Sequence, residues 1–272
     1  KTLQSMWEIG SEIGLDAVVK YGYHRYLPMF LERLRSFPIN LLEIGYGEGK
    51  SFQLWRKYFP KGTIYSIDKE RDDPKQPFMF GNIDQGSRAE LATFVRTNKL
   101  MRDVDVIIDD GSHYPEHQIV SFKYLFARAL KPGGIYIIEN IEQNYWRRGE
   151  SYGITDFPYG RDSDSSVVNI MKGLADVVNR QFAPSGDPFV SAFGMEIDKV
   201  VTGVFFGQNC IVVVKTTFDD RDKYFDQGYD QFKSYVELEP ATEPTAEPTA
   251  EPIATEPIAT EPTAAETVEK EL

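Results

Sequence analysis

Five places along the chain set a carboxylate at or near the end of a short apolar run: Glu43, Asp68, Asp84, the pair Asp109–Asp110, and Glu139. In an open parallel sheet, ligands bind beyond the carboxyl ends of the strands, near the switch in strand order. Acids placed this way can line one ligand edge. The first belongs to a glycine loop, Glu43-Ile-Gly45-Tyr46-Gly47-Glu-Gly49, with Ser51 just after it. Glycines there let the backbone turn tightly and approach a ligand with no Cβ in the way. An acid ahead of the first Gly suits the ammonium group of a methionine and suits a pyrophosphate poorly. Asp68, at the end of the second run, can accept hydrogen bonds from both hydroxyls of a ribose.

Two clusters carry the candidate chemistry: Asp109-Asp110-Gly-Ser-His113, and Glu139-Asn140-Ile-Glu142. Adjacent strand ends lie about 5 Å apart, so these side chains can share one ion. Oxygen ligands with open positions suit Mg²⁺ or Mn²⁺, and no thiolate cluster points to zinc. A divalent ion there would lower the pKa of a bound hydroxyl, and His113 could take the proton. Plainer readings stand beside these. Paired Asp residues often cap the turn after a strand, and His113 could be only a turn residue. His117 reads as structural or as a substrate contact. His24 either closes over a cofactor or packs the N-terminal segment. Asp103-x-Asp105 and Asp162-x-Asp164 imitate the metal-binding Asp-x-Asp of glycosyltransferases, but their settings mark both as decoys.

Strand and helix signals alternate in a way that positions these residues on a doubly wound α/β sheet. A helical segment at 3–35 precedes the first strand, 39–44. The pattern then predicts a helix at 51–58, strands at 63–67 and 78–80, a helix at 88–97, and a strand at 104–108. A helix at 116–129, a turn Lys131-Pro-Gly-Gly134, a strand at 135–138 and a helix at 165–182 follow. Runs at 199–206 and 210–216, split only by Gly207-Gln-Asn209, should pair as an antiparallel hairpin. Five parallel strands closed by such a hairpin describe a Rossmann-like, seven-stranded methyltransferase sheet with helices on both faces. With Glu43 and the Pro-Gly-Gly turn, the hairpin favours S-adenosylmethionine over a nicotinamide cofactor. The expected cofactor contacts are Glu43, Gly45, Tyr46, Gly47, Gly49, Ser51, Asp68, Asp84 and Asp109.

The net charge of −12 is misleading until it is divided. Residues 237–272 hold ten Glu against one Lys, a net of −9, so the first 236 residues carry only −3. That leaves no basic excess for nucleic acid. Prolines at 240, 244, 248, 252, 257 and 262 forbid a continuous helix, and the segment reads as an acidic, disordered Glu-Pro-Thr-Ala tail. The domain plan is therefore an N-terminal helical segment (1–36), a cofactor-binding domain (37–236) and this tail. The one cysteine, Cys210, sits in an apolar run and reads as a small buried thiol. No stretch is long and apolar enough for a membrane span. A cytoplasmic, reducing compartment fits best.

The stretches Val-Asp-Val-Ile-Ile-Asp109-Asp110-Gly-Ser-His113, Lys131-Pro-Gly-Gly-Ile-Tyr-Ile-Ile-Glu139 and Tyr145-Trp146 resemble the metal-dependent sugar O-methyltransferases of macrolide and rhamnosyl-antibiotic tailoring. Tyr23-His24-Arg-Tyr26-Leu-Pro28 and Leu42-Glu43-Ile-Gly45 are similar to that family's N-terminal segment and first motif. The resemblance implies Asp110, Glu139 and Asn140 as ion ligands, with Asn140 where the family usually has Asp, and His113 as general base. It implies a sugar or glycoside acceptor, usually a deoxysugar such as rhamnose. Tyr145, Trp146, Tyr152, Phe157 and Tyr159 could stack on such a ring or simply pack a lid. A catechol-like acceptor and a non-catalytic cofactor- or glycan-binding module remain alternatives. The Pro-rich repeat and the missing start Met fit a piece of a larger multi-domain glycan-synthesis protein, a viral one among the candidates.

Overall fold

The computed structural model describes residues 3–71, 75–146, 160–182 and 190–217. The tail and three of the five candidate stacking aromatics, Tyr152, Phe157 and Tyr159, lie outside the described residues. Five strands run parallel: β1 (Asn40–Ile44), β2 (Thr63–Ile67), β3 (Met79–Phe80), β4 (Val104–Asp109) and β5 (Leu130–Glu139). Then β6 (Val201–Gly207) and β7 (Cys210–Lys215) form the antiparallel hairpin, with β7 against β5. The sheet order is β3-β2-β1-β4-β5-β7-β6. The sheet expected from the alternation of elements is present, and its strand order reverses between β1 and β4.

The N-terminal segment is helical in pieces: α1 (Met6–Ile13), α2 (Asp16–Val19), α3 (Pro28–Leu31), and 3-10 turns at Tyr23–Arg25 and Glu32–Leu34. Ser5 and Glu8 form a capping box at the start of α1, and the left-handed Gly14 ends it. This segment is no separate body, since Met6, Ile9, Val18 and Leu31 share a core with Leu41 of β1. After β1 come α4 (Lys50–Tyr58), α5 (Arg88–Thr97) and α6 (Pro115–Arg128), close to the expected bounds. The single helix expected at 165–182 is instead α7 (Val167–Lys172), α8 (Leu174–Asn179) and a 3-10 turn, parted at Gly173. A short α9 (Met195–Asp198) leads to β6. The Lys131–Gly134 turn is also revised. It lies inside β5 as a bulge, where pairing jumps from Val104–Leu130 to Val106–Ile135. No helix among the described residues is long and apolar enough to cross a membrane.

Alternation along the strands sorts side chains between two cores. Leu42, Ile44, Ile107, Tyr136 and Ile138 face Phe122 and Leu125 of α6. Leu41, Val106, Ile108, Ile135 and Ile137 face Ile9 of α1 and Trp55 of α4. Glu43 is paired with Ile108, and Ile108 with Ile137. Counting two residues onward places Glu43, Asp110 and Glu139 on the α4 face, and Asp109 on the α6 face.

One buried cation ties the last strand to this frame. Lys215 Nζ donates to the carbonyls of Phe126, Ala127 and Leu130, at 2.7, 3.3 and 2.6 Å, closing the end of α6. Lys215→Met should leave three backbone acceptors without this donor and cost about 2–4 kcal/mol. Urea denaturation measures the loss, and an unchanged midpoint would show that the lysine is replaceable by packing alone.

Candidate active site

The glycine loop is held from below. Gly45 N donates to Ile67 O at 2.8 Å as β1 ends. Gly45 has φ +93°, and a Cβ there would run into the Asp110 carbonyl, so only glycine lets the two strand ends close up. Gly47 and Gly49 share the left-handed region, and α4 begins directly after them. Asp68 lines the cleft with both of its carboxylate oxygens engaged by the backbone. Its Oδ2 accepts from the backbone N–H of Tyr46 (2.9 Å) and Gly47 (3.2 Å), and its Oδ1 from Glu70 (2.8 Å) and Arg71 (2.9 Å). Partial burial pushes its pKa up, but these four donors outweigh that and hold it below the usual carboxylate range. Asp68 is thus the pin that shapes the loop.

A cleft of about 530 Å³ opens over the ends of β1, β2 and β4. Gly45, Asp68, Asp84, Gln85, Asp110 and His113 line it. A smaller opening of about 280 Å³ lies on the far side of the loop, between Gly45, Tyr46, Ser51 and Asp110 and the α1–α2 turn at Leu15–Asp16. Asp84 sits on the cleft wall, with Oδ2 2.8 Å from Lys69 Nζ and Oδ1 accepting from Gly86 N. The Lys69 bond first, then the backbone, keeps it ionised below its ordinary pKa despite some burial.

Asp109, expected among the cofactor contacts, lines neither opening. It is wholly buried on the α6 face, where Ser121 Oγ (2.6 Å), Gln85 Nε2 (2.9 Å) and Tyr136 OH (3.4 Å) donate to it. Burial raises its pKa. Its effect reaches the cleft through Gln85, whose Oε1 accepts from Ser112 N at 2.6 Å. Gln85 was missed in the sequence because no motif contains it, although it follows Asp84 at a predicted strand end. A Cβ on Gly111 would collide with that same Oε1.

On the α4 face the acids converge. Glu43 is wholly buried, Oε1 accepts from Trp55 Nε1 at 3.0 Å, and Oε2 has no partner. Burial pushes its pKa up to about 8, against hydrogen bonds from Ser51 and Trp55. It lines neither opening directly and lies beneath the loop. Asp110 is pushed up to about 7, by burial and then by the charges of Asp109 and Glu142. Glu139 goes well above its ordinary value, through burial and then repulsion from Asp110, Glu43 and Asp109. Among the described residues no Lys or Arg is paired with Glu43, Asp110, Glu139 or Glu142. Glu142 Oε2, also buried, has no partner.

Such a cluster wants a cation. The donor set is all oxygen, which fits Mg²⁺ or Mn²⁺. No group of three or more His, Cys, Asp or Glu among the described residues is gathered closely enough to complete a site alone. Asn140 would therefore be needed beside Asp110 and Glu139. Asn140 and His113 both adopt left-handed backbone, with φ 54° and 62°. Such strain concentrates at functional sites. Asn140 N–H is fixed by Tyr23 OH at 3.2 Å. The turn carrying His113 is fixed by Ser112, whose Oγ bonds His117 Nδ1 at 2.9 Å. The His113 ring has Nδ1 buried without a partner, and burial lowers its pKa although Asp109 and Glu142 pull it up.

The remaining candidates resolve simply. His24 Nδ1 lies 3.2 Å from Val18 O, and its ring packs on Trp7, so it holds the N-terminal segment together. Asp105 accepts from Asn40 N and pairs with Lys131, while Asp162 pairs with its neighbour Arg161 on the surface. Cys210 is a buried free thiol on the α4 face, paired across the sheet with Glu139.

No protein-family profile matches the chain. It is 28% identical over 213 residues to the 8-demethyl-8-alpha-L-rhamnosyl tetracenomycin-C 2'-O-methyltransferase of Streptomyces olivaceus, covering 72% of this chain and 51% of that protein. It is equally similar, at 28%, to the mycinamicin VI 2''-O-methyltransferase of Micromonospora griseorubida, covering 74% and 51%. Among solved structures, the MycE methyltransferase of the mycinamycin pathway, in complex with Mg and SAH, aligns with a TM-score of 0.66 at 26% identity. That alignment covers 79% of this chain and 54% of the other. The chain spans about half the length of the curated relatives it matches. The resemblance to sugar O-methyltransferases carried by the Asp-Asp-Gly-Ser-His and Glu-Asn motifs therefore extends over most of the chain. These relatives are bacterial and lend the viral reading no support.

The electrostatics give a first test. Burial and the neighbouring acids push the Glu139 pKa well above its ordinary value, which favours the neutral form that Gln imitates when no ion is bound. Glu139→Gln should keep the melting temperature in EDTA within about 2 °C of the parent, where an ordinary buried substitution costs about 1 kcal/mol. The same change should abolish any rise in melting temperature on adding Mg²⁺ or Mn²⁺. A drop of many degrees in EDTA would mean that the charged carboxylate has a partner in the ion-free chain.

Proposed function

We propose that the chain is an S-adenosylmethionine-dependent O-methyltransferase that transfers a methyl group to a sugar hydroxyl, assisted by a divalent ion. The observation that carries this reading is the set of carboxyl groups without a Lys or Arg partner at the ends of β4 and β5, beside the cleft of the glycine loop. The loop, Ser51 and Asp84 would hold the cofactor. Lys69–Arg71 form the wall where a ribose would lie, with Asp68 shaping the loop from behind. Glu43, unpartnered at Oε2 beneath the loop, would set an acid under an ammonium placed against the loop from above. Asp110, Glu139 and the carbonyl of Asn140 would hold the ion, which when bound would make an acceptor hydroxyl more acidic while the sulfonium supplies the methyl.

The chain's own residues then have defined tasks. His113 is kept neutral near neutral pH by burial, so its ring can take the hydroxyl proton as the acceptor oxygen attacks. Its left-handed backbone and the Ser112–Gln85 bond fix where that ring stands. Asp109 holds Gln85, which keeps the turn rigid without touching a reactant. Positioning of this kind removes much of the barrier to a two-substrate displacement. The rhamnosyl and macrolide acceptors named for the relatives support a deoxysugar as acceptor here.

The purified chain should form S-adenosylhomocysteine when given the cofactor, Mg²⁺ and a rhamnosyl acceptor. His113→Ala should lower kcat by about 10²–10⁴, and EDTA should abolish turnover until Mg²⁺ is restored. Full activity of His113→Ala would remove the base assignment, and full activity in EDTA would remove the ion.

A further inference from the structure

A second cavity, open and about 490 Å³ in volume, lies past the ends of β5 and β7, on the opposite side of the acid cluster from the glycine-loop cleft. Its walls are Tyr21, Glu142, Tyr145 and the β6–β7 turn at Gly207–Asn209. Neither cofactor opening shares a residue with it. The order β1-β4-β5-β7 places Asp110 and Glu139 between the two spaces. A methyl transfer needs cofactor and acceptor on opposite sides of the reacting centre, and this cavity occupies the acceptor's side.

We propose that the cavity seats the acceptor's sugar ring, with Tyr21 and Tyr145 as its aromatic walls and Glu142 accepting a hydrogen bond from a ring hydroxyl. The proposal rests on the sugar-methylation reading and names the residues that would confer it. A pyranose has C–H faces that pack on aromatic rings and a rim of hydroxyls that need acceptors. Both complements are present. Tyr145 is 48% exposed, so its ring is open to a ligand in the cavity. Glu142 Oε2 is buried without a partner, a costly arrangement that a ligand hydroxyl would relieve.

The cavity is built before any ligand arrives. Tyr23 OH donates to Asn209 O at 3.1 Å, Tyr26 OH to Gln208 O at 2.6 Å, and Arg25 bonds the Gln208 side chain. Tyr21 stacks on Tyr23 at 5.8 Å, so its ring is set by the same buried anchor. A rigid turn with aromatic walls loses little freedom on binding.

The test compares the parent chain with Tyr21→Ala, Tyr145→Ala and Tyr145→Phe, using methyl α-L-rhamnopyranoside as probe in the presence of S-adenosylhomocysteine. Saturation-transfer NMR reads sugar binding independently of turnover, and calorimetry reads S-adenosylhomocysteine binding. The two alanine variants should lose the sugar signal and raise KM for the rhamnoside about tenfold or more. They should change kcat by less than about threefold, leave S-adenosylhomocysteine affinity unaltered and melt with the parent. Tyr145→Phe should behave as the parent, since the ring and not the hydroxyl makes the wall. Binding that is lost in the variants, with no methyl transfer by the parent, would keep the cavity and overturn the methylation reading. Methyl transfer with unchanged KM in both alanine variants would overturn the cavity and keep the methylation reading. No binding of the rhamnoside to the parent would overturn the cavity as well.

Discussion

Three carboxylates, Glu43, Asp110 and Glu139, are carried by neighbouring strands to one face of the sheet, the first and last buried and Asp110 half-buried at the edge of the cleft. Removing like charges from water is costly, and the cost is met either by protons or by a bound cation. Burial and repulsion from neighbouring acids push Glu43 up to about 8 and Asp110 up to about 7, so both groups favour the proton unless a cation replaces it. A folding-only sequence would place apolar groups there, as it does one pair earlier at Ile108 and Ile137 on the same face. The surrounding architecture makes sense as the frame that keeps these groups together: parallel strands that end in register, a strand order that reverses beside them, and a hairpin that closes the far edge.

That frame depends on polar groups which never touch a reactant. Asp68 gives all its acceptor capacity to four backbone donors, and in return the glycine loop has one shape. Asp109 binds Ser121 and Gln85, and Gln85 binds the turn that carries His113. A buried network of this kind rigidifies because each member would be costly to leave unpaired. The left-handed backbones of His113 and Asn140 are sustained by it and by Tyr23. Supporting residues and ligand-facing residues are thus drawn from the same motif, one position apart.

That last point marks the limit of what the sequence discloses. Element order, the final hairpin and the strand-end acids follow from periodicity and turn residues, because those signals are local. The bulge at Lys131–Gly134 and the break at Gly173 were less legible, since a glycine can end an element or bend it, and only pairing partners decide which. Asp109 and Asp110 are adjacent in an apolar run without alternation, so neither residue announces its face. Register against β1 separates them, and register is a long-range property. Gln85, Tyr23 and the β6–β7 turn are legible only in space, because each acts across a large gap in sequence. By contrast the resemblance carried by the Asp-Asp-Gly-Ser-His motif singles out Asp110 as ion ligand, where local reasoning listed both acids.

The N-terminal segment links these observations. Tyr23 is fully buried, accepts from Asn140 N–H and donates to Asn209 O, so one phenol joins the loop after β5 to the hairpin turn. A ligand that moves the turn must move that hydroxyl, and with it the backbone that orients the Asn140 side chain. Ion binding that tightens Asn140 must, by the same bond, steady the turn. Linkage makes such coupling reciprocal: whatever ion binding does for occupancy of the second cavity, occupancy does equally for the ion. The phenol that joins the loop after β5 to the hairpin turn thus comes from a segment that lies outside the sheet altogether.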